Sequence, residues 1–414
     1  MRILVHNEWR KKAILGLLIF MLGSLFISRA MLSMSMILFI AITTVHTGFL
    51  HQCRAFAKSA FLLSIAVLFL IPFISGLWSA DTHEWAEVMV IKLPFLLLPL
   101  AFAGNWQGTV RHHRLIAGCF VAFTTIACCW SLMQYFLHMD LINESYLRAK
   151  TIPTLLGDDH VRFSWLVFLA IWIAVFLTET NRARGWKKMI PALAAIFLII
   201  YLHLLAARTG LAMFYLLAFC YACYKVKTKP RLAVTVLAGV TALLLLGWFC
   251  FPTFRNRVRY NLYDLSFVVN DQYRSGTSDG NRVASLKAGW ALLSEHPLTG
   301  VGAGDVWQET DRWYEGHVKE IQDSDKLYPS NEWLAHGCMS GWPGVIIFSA
   351  VVLLPFFIRT IKERFFWTSF HLSAISLFMV ETSLEMQYGI FIYTFFGLWW
   401  WKWHCFKEHY SANC

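Results

Sequence analysis

The sequence predicts an all-α integral membrane protein with about twelve transmembrane helices. Hydrophobic residues make up 57% of its 414 residues and charged residues only 15%, whereas a soluble domain of this size carries far more charge. The apolar residues also occur in runs that approach the roughly 20 residues needed to cross a bilayer. In addition, Lys and Arg concentrate in alternate connecting segments, as in multi-pass membrane proteins. These observations exclude a soluble globular protein.

Twelve apolar runs divide the chain, and each is assigned to one helix because a helix satisfies its own backbone polar groups in lipid. Closely joined runs near Arg29 and Arg208 also allow eleven or thirteen helices. The first run is interpreted as a retained span, since no small-residue cleavage site follows it. The chain is thus predicted to form one polytopic domain, residues 1–414. The runs cover residues 14–29, 31–49, 59–78, 89–104, 114–136, 163–178, 189–206, 209–225, 232–251, 337–357, 367–382 and 387–403.

The orientation of these spans follows from basic residues, which favour the cytoplasmic side of a membrane. With a cytoplasmic N-terminus, every second connecting segment is basic, and Arg10, Arg54 and Arg111 mark the first three. Residues 79–88 and 382–387, on the opposite side, contain no Lys or Arg. We therefore expect both termini in the cytoplasm. The net charge of +11 is attributed to loops that face anionic lipid headgroups, and no nucleic-acid partner is inferred from it.

Two segments on the predicted outer side are long enough to fold over the membrane. They are residues 137–162 and residues 252–335, the latter between the ninth and tenth spans. Loops longer than about 15 residues usually have a function. We therefore expect the functional residues in these outer segments, and short amphipathic helices in the larger one.

One amphipathic helix is predicted between residues 279 and 295 of the larger outer segment. Asp279 or Asn281 can cap its start, because a short polar side chain accepts a hydrogen bond from the first helical N–H groups. His296 and Pro297 end it. We expect it to lie along the membrane interface with one apolar stripe, made of Val283, Leu286, Trp290 and Leu293.

Three glycines, Gly300, Gly302 and Gly304, follow this helix. Glycine lets the backbone turn tightly and can present N–H groups to an oxyanion. The pattern therefore predicts either an ordinary turn or an anion-binding nest in which His296 and Gly302 contact the substrate.

Two arginines are candidates for binding a phosphorylated ligand. Arg208 lies at the outer end of the seventh span, where a cation is costly unless it reaches an interface, a partner or a ligand. A functional role and simple extension to the lipid headgroups are both open for it. Arg282 stands in the more basic first half of the larger outer segment. Because Arg forks match phosphate oxygens, the two could bind both phosphates of a pyrophosphate.

Two further pairs of polar residues lie at the predicted membrane edge. Glu332 and His336 are four residues apart, hence on one helical face. Either could act as a general base, although a helical His at an interface is more often structural. His160 and Arg162, just before the sixth span, either bind sugar or acceptor phosphate or form a polar cap at the interface.

These residues occur in a combination that resembles the O-antigen ligase and O-antigen polymerase superfamily. The combination comprises the twelve-span layout, the large outer loop after the ninth span, the AlaArgThrGly turn at residues 207–210, and Arg282 followed by Trp290. The most specific piece is HisProLeuThrGlyValGlyAlaGly at residues 296–304, and AsnGluTrpLeu from Asn331 fits the same pattern. The residue-level motifs cover about residues 206–345, and the topology covers the whole chain.

The resemblance implies a multi-pass glycosyltransferase of the bacterial inner membrane that needs no metal and no cofactor. Its donor would be a glycan linked to a polyprenyl pyrophosphate carrier, bound through Arg208 and Arg282. A ligase passes the glycan to lipid A core, whereas a polymerase passes it to another lipid-linked repeat. Asn331 would belong to the acceptor site, and membrane lipids surround the protein.

At one position the sequence departs from the family. The residue before Asn331 should be a His that acts as general base on the acceptor hydroxyl, and here it is Ser330. A serine hydroxyl has no useful basicity near neutral pH. Three alternatives follow: His336, Glu332 or His317 takes the proton, the reaction relies on the activated pyrophosphate leaving group, or this protein performs different or no chemistry.

Two other classes of function compete with the transferase. A polysaccharide or lipid transporter, or flippase, would also need many helices and a polar cavity. Charges within the predicted spans are few, with Lys92 the clearest, and the sequence shows no internal repeat of the kind found in transporters. A non-catalytic glycolipid-binding relative is the third alternative, and Ser330 is the residue that favours it.

Overall fold

The computed structural model describes residues 2–104, 106, 108–157, 159–180, 186–270, 273–318, 321–358 and 363–411. This part of the chain is all-helical, as predicted, and contains no β-strand. The helices are α1 (Arg2–Ser24), α2 (Arg29–Thr44), α3 (Phe49–Lys58), α4 (Ala60–Ser75), α5 (Thr82–Lys92), α6 (Pro94–Ala103), α7 (Val110–Leu137), α8 (Met139–Ser145), α9 (His160–Thr180), α10 (Trp186–Leu205), α11 (Arg208–Lys225), α12 (Pro230–Cys250), α13 (Pro252–Val269), α14 (Ser278–Glu295), α15 (Val306–His317), α16 (Glu332–Phe357), α17 (Arg364–Phe378) and α18 (Gln387–Ser411).

Within the described residues, six helices are long and apolar enough to cross a membrane. The bent pair α2 and α3, whose axes differ by 106°, would make a seventh span if the pair counts as one. The prediction of a multi-pass membrane protein is thus confirmed, and the count of about twelve spans stays a prediction. The six are Thr82–Ala103, Val110–Leu137, His160–Thr180, Lys188–Leu205, Pro230–Cys250 and Glu332–Phe357.

Two predicted runs differ from the observed helices. The run 31–49 is not one straight helix, because α2 ends at Thr44 and α3 starts in a new direction at Phe49. The run 89–104 begins earlier than predicted, at Thr82. The cause is Asp81, whose carboxylate caps α5 by accepting from the N–H groups of His83 and Glu84 at 3.0 and 2.9 Å. Most of the short outer loop predicted at 79–88 is therefore helical.

The chain divides into two compact units. The first unit comprises residues 1–116 and 281–414, and the second comprises residues 117–280. In the first unit α4 packs on α6 and α16, and α6 also packs on α18. Buried rings fill the spaces between these helices, as where Phe102 meets Phe39 and Phe395 at centroid distances of 5.3 and 6.2 Å.

In the second unit α9 is packed between α10 and α11. Gly210 allows α11 to approach α9 closely, because a Cβ at this position would lie 2.6 Å from the Cβ of Ser164. Small residues at such crossings are typical of membrane helices. The contact places the first turn of α11, with Arg208, beside the first turn of α9, with Arg162.

Helix α14 forms where the sequence predicts it, and its predicted apolar stripe is partly buried. It begins at Ser278, so Asp279 and Asn281 lie inside the helix rather than at its cap. Its buried side includes Ala284, Ala288 and Leu292, and of the predicted stripe Leu293 is buried while Trp290 is 56% exposed. Small side chains face inwards because the backbone approaches its neighbour closely: a Cβ on Gly289 would lie 2.8 Å from the Cβ of Pro329.

Candidate active site

The turn before α11 holds Arg208 in a defined place. Arg208 is the first residue of α11, and Ala206 just before it has a φ of 48°, in a region that costs a non-glycine residue about 1–2 kcal/mol. The hydroxyl of Tyr146 donates to the carbonyl of Leu205 at 2.8 Å. Burial raises the pKa of Tyr146, so the hydroxyl keeps the proton that it donates. Such strained turns cluster at functional sites.

Arg208 is paired with the start of α14. Its Nη1 donates to Oδ1 and Oδ2 of Asp279 at 2.6 and 2.7 Å, and its Nη2 donates to the hydroxyl of Ser278 at 3.1 Å. The backbone N–H of Asp279 in turn donates to Asp264 at 2.9 Å. The side chain of Arg208 is still 30% exposed. A ligand can therefore reach the guanidinium, but it must compete with Asp279.

Arg282 has a similar arrangement in the first unit. Its Nη2 lies 3.1 Å from Oε2 of Glu381, and the two side chains are 26% and 24% exposed. Each arginine that the family resemblance assigns to the pyrophosphate thus has a carboxylate partner. Neither partnership is predicted by the local sequence, in which Asp279 is a candidate helix cap and Glu381 has no assigned role.

Residues 379–385, here called the acidic turn, are held in place by the start of α16. Asn331 caps α16 by accepting from the N–H of Leu334 at 3.1 Å, and its Nδ2 donates to the carbonyl of Met379 at 3.0 Å. Glu332 accepts a hydrogen bond from the N–H of Leu384. These contacts bring the segment assigned to the acceptor site next to the turn that carries the partner of Arg282.

A buried ion pair fastens the other end of the acidic turn. Lys92, at the end of α5, is fully buried, and its Nζ lies 2.6 Å from Oε1 of Glu385. It also donates to the carbonyl of Leu384 at 3.4 Å. A cation inside a membrane protein is costly without such partners. The lone charge noted in the sequence therefore has a structural role: it positions the acidic turn.

Ser330, the position at which the sequence departs from the family, is buried. Ser330 is 7% exposed, and the hydroxyl of Ser285 on α14 donates to its Oγ at 2.9 Å. Of the proposed bases, Glu332 is fully buried and His336 is 1% exposed. The ring of His336 stacks on Phe348 at a centroid distance of 4.4 Å. Glu332 and His336 share α16, as predicted, but both side chains point into the packed interior.

The glycines of residues 300–304 do not form an anion nest, and that hypothesis is wrong. All three N–H groups are already used: Gly300 donates to the carbonyl of His296 at 2.9 Å, Gly302 to that of Met339 at 3.2 Å, and Gly304 to the hydroxyl of Ser79 at 2.9 Å. The glycines instead permit close packing, since a Cβ on Gly304 would lie 2.1 Å from the carbonyl oxygen of Asp81. The N–H of Gly302 is therefore already hydrogen-bonded within the protein, and a role of this residue in substrate binding stays a prediction. The side chain of His296 is exposed, and its role in binding stays a prediction.

The same glycine segment interlocks with a break in α16. Ser340 and Gly341 leave helical geometry, and Gly341 has a φ of 66°. The N–H of Trp342 donates to the carbonyl of Pro297 at 2.8 Å, and the N–H of Val301 donates to that of Cys338 at 2.7 Å. The turn at residues 296–304 and the broken helix thus satisfy each other's backbone groups.

Asp305 strengthens this junction and was not singled out in the sequence. Its carboxylate accepts from the hydroxyl of Ser79 at 2.7 Å and from the N–H groups of Ala80 and Asp81 at 2.7 and 2.9 Å. Three donors thus satisfy the hydrogen-bonding capacity of this buried carboxylate. It joins the start of α15 to the loop before α5.

At the start of α9, the structure favours the polar-cap interpretation for one of two residues. Arg162 is 4% exposed, and its Nη1 lies 2.8 Å from Oδ2 of Asp159. Its own N–H also donates to Asp159, at 3.1 Å. His160 is half-buried, and sugar or phosphate binding there stays a prediction.

Comparison with known families shows what these elements belong to. Residues 192–349 match the family model described as O-antigen ligase. This match supports a relationship of the segment to the O-antigen ligase superfamily. The matched segment includes Arg208, Arg282, the glycine turn and the start of α16, so the resemblance expected from the motifs is confirmed. Members of the family are membrane glycosyltransferase-like enzymes. No curated protein matches the chain.

Proposed function

We propose that this protein, whose residues 192–349 match the O-antigen ligase family model, transfers a glycan from a polyprenyl pyrophosphate carrier to a glycolipid acceptor on the periplasmic face of the bacterial inner membrane. The acceptor in the ligase reaction would be lipid A core. The observation that carries the proposal is the state of Arg208 and Arg282 inside the matched segment. Both guanidinium groups are oriented by a carboxylate, yet their side chains stay 30% and 26% exposed.

A pyrophosphate suits these arginines better than the carboxylates that hold them. The guanidinium fork binds phosphate oxygens in pairs, and a pyrophosphate carries more negative charge than one carboxylate. Arg208 is also at the N-terminus of α11, where the helix dipole favours an anion. Asp279 and Glu381 would release the arginines when the donor binds. The arginines would then stabilise the charge that builds up on the departing pyrophosphate.

The reaction needs one bond to form and one to break. The oxygen of the acceptor hydroxyl attacks the anomeric carbon of the donor glycan. The bond from that carbon to the pyrophosphate oxygen breaks, and its electron pair leaves with the polyprenyl pyrophosphate. The hydroxyl proton passes to a general base. A single in-line displacement of this kind inverts the configuration at the anomeric carbon.

The transfer reaction is tested by supplying the purified protein with a polyprenyl pyrophosphate glycan and a glycolipid acceptor. We expect release of polyprenyl pyrophosphate, and a loss of about 10- to 100-fold in Arg208→Ala and Arg282→Ala, because each removes a charged hydrogen-bond donor. Arg148→Ala is the matched control, since its exposed pair with Glu144 at 2.6 Å is of the kind that contributes little. The proposal fails if wild type releases no product while both variants bind donor as well as wild type does.

The choice of acceptor separates the related functions. Transfer to lipid A core identifies a ligase, and transfer to a second lipid-linked repeat identifies a polymerase. Flux of a labelled solute into proteoliposomes, without release of polyprenyl pyrophosphate, would instead support the transporter hypothesis.

The general base is assigned by comparing three variants over a range of pH. Glu332→Gln retains an oxygen for the N–H of Leu384, His336→Ala removes the buried ring, and His317→Ala removes the exposed one. Loss of the base is expected to lower turnover about 100-fold and to abolish the corresponding limb of the pH profile. If none of the three changes turnover or its pH dependence, the proton leaves by a route that involves none of these residues.

A further inference from the structure

Two side chains of α13 hold the first residues of α14. The N–H of Ser278 donates to the hydroxyl of Tyr260 at 3.0 Å. The N–H of Asp279 donates to Oδ2 of Asp264 at 2.9 Å. Tyr260 and Asp264 are four residues apart, so they lie on one face of α13. Because the first N–H groups of a helix have no partner within that helix, these α13 side chains act as the cap of α14.

The same two residues of α14 hold Arg208 with their side chains. Ser278 and Asp279 face α13 through their backbone N–H groups. Their hydroxyl and carboxylate oxygens accept hydrogen bonds from the guanidinium. A chain of contacts thus runs from α13 through the start of α14 to Arg208, and every residue in it belongs to the second unit.

Asp264 is the energetically unfavourable member of this chain. It is fully buried, and its Oδ1 has no hydrogen-bond partner among the described residues. Burying a carboxylate with an unpaired oxygen costs free energy, and one hydrogen bond from a backbone N–H offsets only part of that cost. Proteins keep such groups mainly at functional sites. Stability alone therefore does not explain why an aspartate occupies this position.

We propose that Asp264 and Tyr260 are positioning residues for the transfer reaction, because they fix the start of α14 and thereby hold the guanidinium of Arg208 where the pyrophosphate of the donor binds. The backbone of Asp279 stays tied to α13, so only its side chain has to turn away when the donor arrives. A guanidinium held in place loses less conformational entropy on binding. Misplacement of such a group by about 1 Å can lower a rate about 100-fold. The role in turnover rests on the proposed function, whereas the hold on Arg208 does not.

The hold on Arg208 can be measured without turnover, from the rate at which phenylglyoxal modifies its guanidinium in the full-length protein, followed by mass spectrometry. Asp264→Ala is expected to accelerate this modification about 5- to 10-fold, because Asp279 loses a hydrogen bond to a charged group. Arg282 is the internal reference. Its side chain is 26% exposed, against 30% for Arg208, and it is paired with Glu381 instead. The modification rate of Arg282 is expected to stay unchanged.

Three further variants separate positioning from general damage. Asp264→Asn keeps an acceptor oxygen and is expected to leave the modification of Arg208 close to the wild-type rate. Asp81→Ala removes a carboxylate that caps α5 in the first unit, and it is expected to leave that rate unchanged as well. Tyr260→Phe removes a neutral acceptor, so a smaller acceleration of about two- to threefold is expected. It tests the hold on Arg208 even if Asp264→Ala does not fold, which the melting temperature shows.

Release of polyprenyl pyrophosphate tests the role in the reaction. Asp264→Ala is expected to lower kcat about 10-fold, and Asp264→Asn to restore most of it. Faster modification of Arg208 with unchanged turnover would overturn this role. The hold itself is overturned if Arg208 reacts at the wild-type rate in both Asp264→Ala and Tyr260→Phe, or if Arg282 accelerates equally. If the wild-type protein releases no polyprenyl pyrophosphate, the proposed function fails, and the modification rates still decide whether α13 holds Arg208.

Discussion

Replacing Glu385 by alanine is expected to destabilise the protein by about 3–5 kcal/mol, because it leaves a buried cation without its carboxylate. The ammonium of Lys92 is fully buried on a helix that is a candidate membrane span. With Glu385 removed, the ammonium of Lys92 keeps its hydrogen bond to the carbonyl of Leu384 at 3.4 Å. A single long hydrogen bond does not offset the lost solvation of an ammonium group.

Detergent titration monitored by circular dichroism measures this loss. Glu144→Ala is the matched control, because it breaks an ion pair of the same length, 2.6 Å, whose side chains are 73% and 65% exposed. Its expected cost is about 0–1 kcal/mol. The double variant Lys92→Met with Glu385→Leu should recover most of the loss, since a buried pair can often be replaced by apolar residues. If Glu385→Ala unfolds like Glu144→Ala, the pair does not hold the acidic turn.

Replacing Gly300 by alanine is expected to cost about 2–5 kcal/mol, because two penalties combine. The φ of Gly300 is 66°, which disfavours any residue with a Cβ. The new Cβ would also lie 2.3 Å from the carbonyl oxygen of Cys338 and 2.5 Å from the backbone of Met339. Backbone atoms inside a helix cannot move aside as the end of a side chain can. The interlock between the turn and the broken α16 would have to open.

A second glycine provides the control for this substitution. Gly316 lies in α15, and a Cβ there would meet nothing within 4 Å. Gly316→Ala is expected to leave stability unchanged or to raise it by up to about 1 kcal/mol, as in an ordinary helix. Unfolding curves of the two variants, measured side by side, give the comparison. Similar unfolding curves for the two variants would show that the turn at residues 296–304 accommodates the new Cβ without loss of stability.

Composition and apolar runs were sufficient to predict the membrane class, the all-helical fold and the existence of α14. They did not predict which face of α14 is buried. The predicted apolar stripe is divided between two environments, since Leu293 is buried and Trp290 is 56% exposed. Small residues such as Ala288 also face inwards, where the backbone of α14 approaches Pro329 closely. Hydropathy does not distinguish an apolar side chain that packs inside the protein from one that faces the membrane interface, so the placement of α14 along that interface stays a prediction.

The candidate site was predicted in part. Arg208 and Arg282 were candidates because an arginine near a membrane is costly unless it has a partner or a ligand. The segment that matches the family model includes both residues. Their partners lie 71 and 99 residues away in sequence, and only the folded chain brings such groups together. The glycine motif was the most specific signal of the family, yet it serves packing. Its backbone N–H groups donate hydrogen bonds to carbonyl groups and to one hydroxyl, and the local sequence does not predict these hydrogen bonds.

The carboxylates that hold Arg208 and Arg282 have a consequence for selectivity. Each of these arginines forms an ion pair with one carboxylate, so chloride and other small monovalent ions gain little by binding to it. Such an ion would have to replace a carboxylate of equal charge that is already tethered beside the guanidinium. If the two arginines bind the donor as proposed, a multiply charged lipid headgroup displaces the carboxylates where a monovalent ion does not. The proposed function therefore implies discrimination against abundant salt before any sugar is recognised.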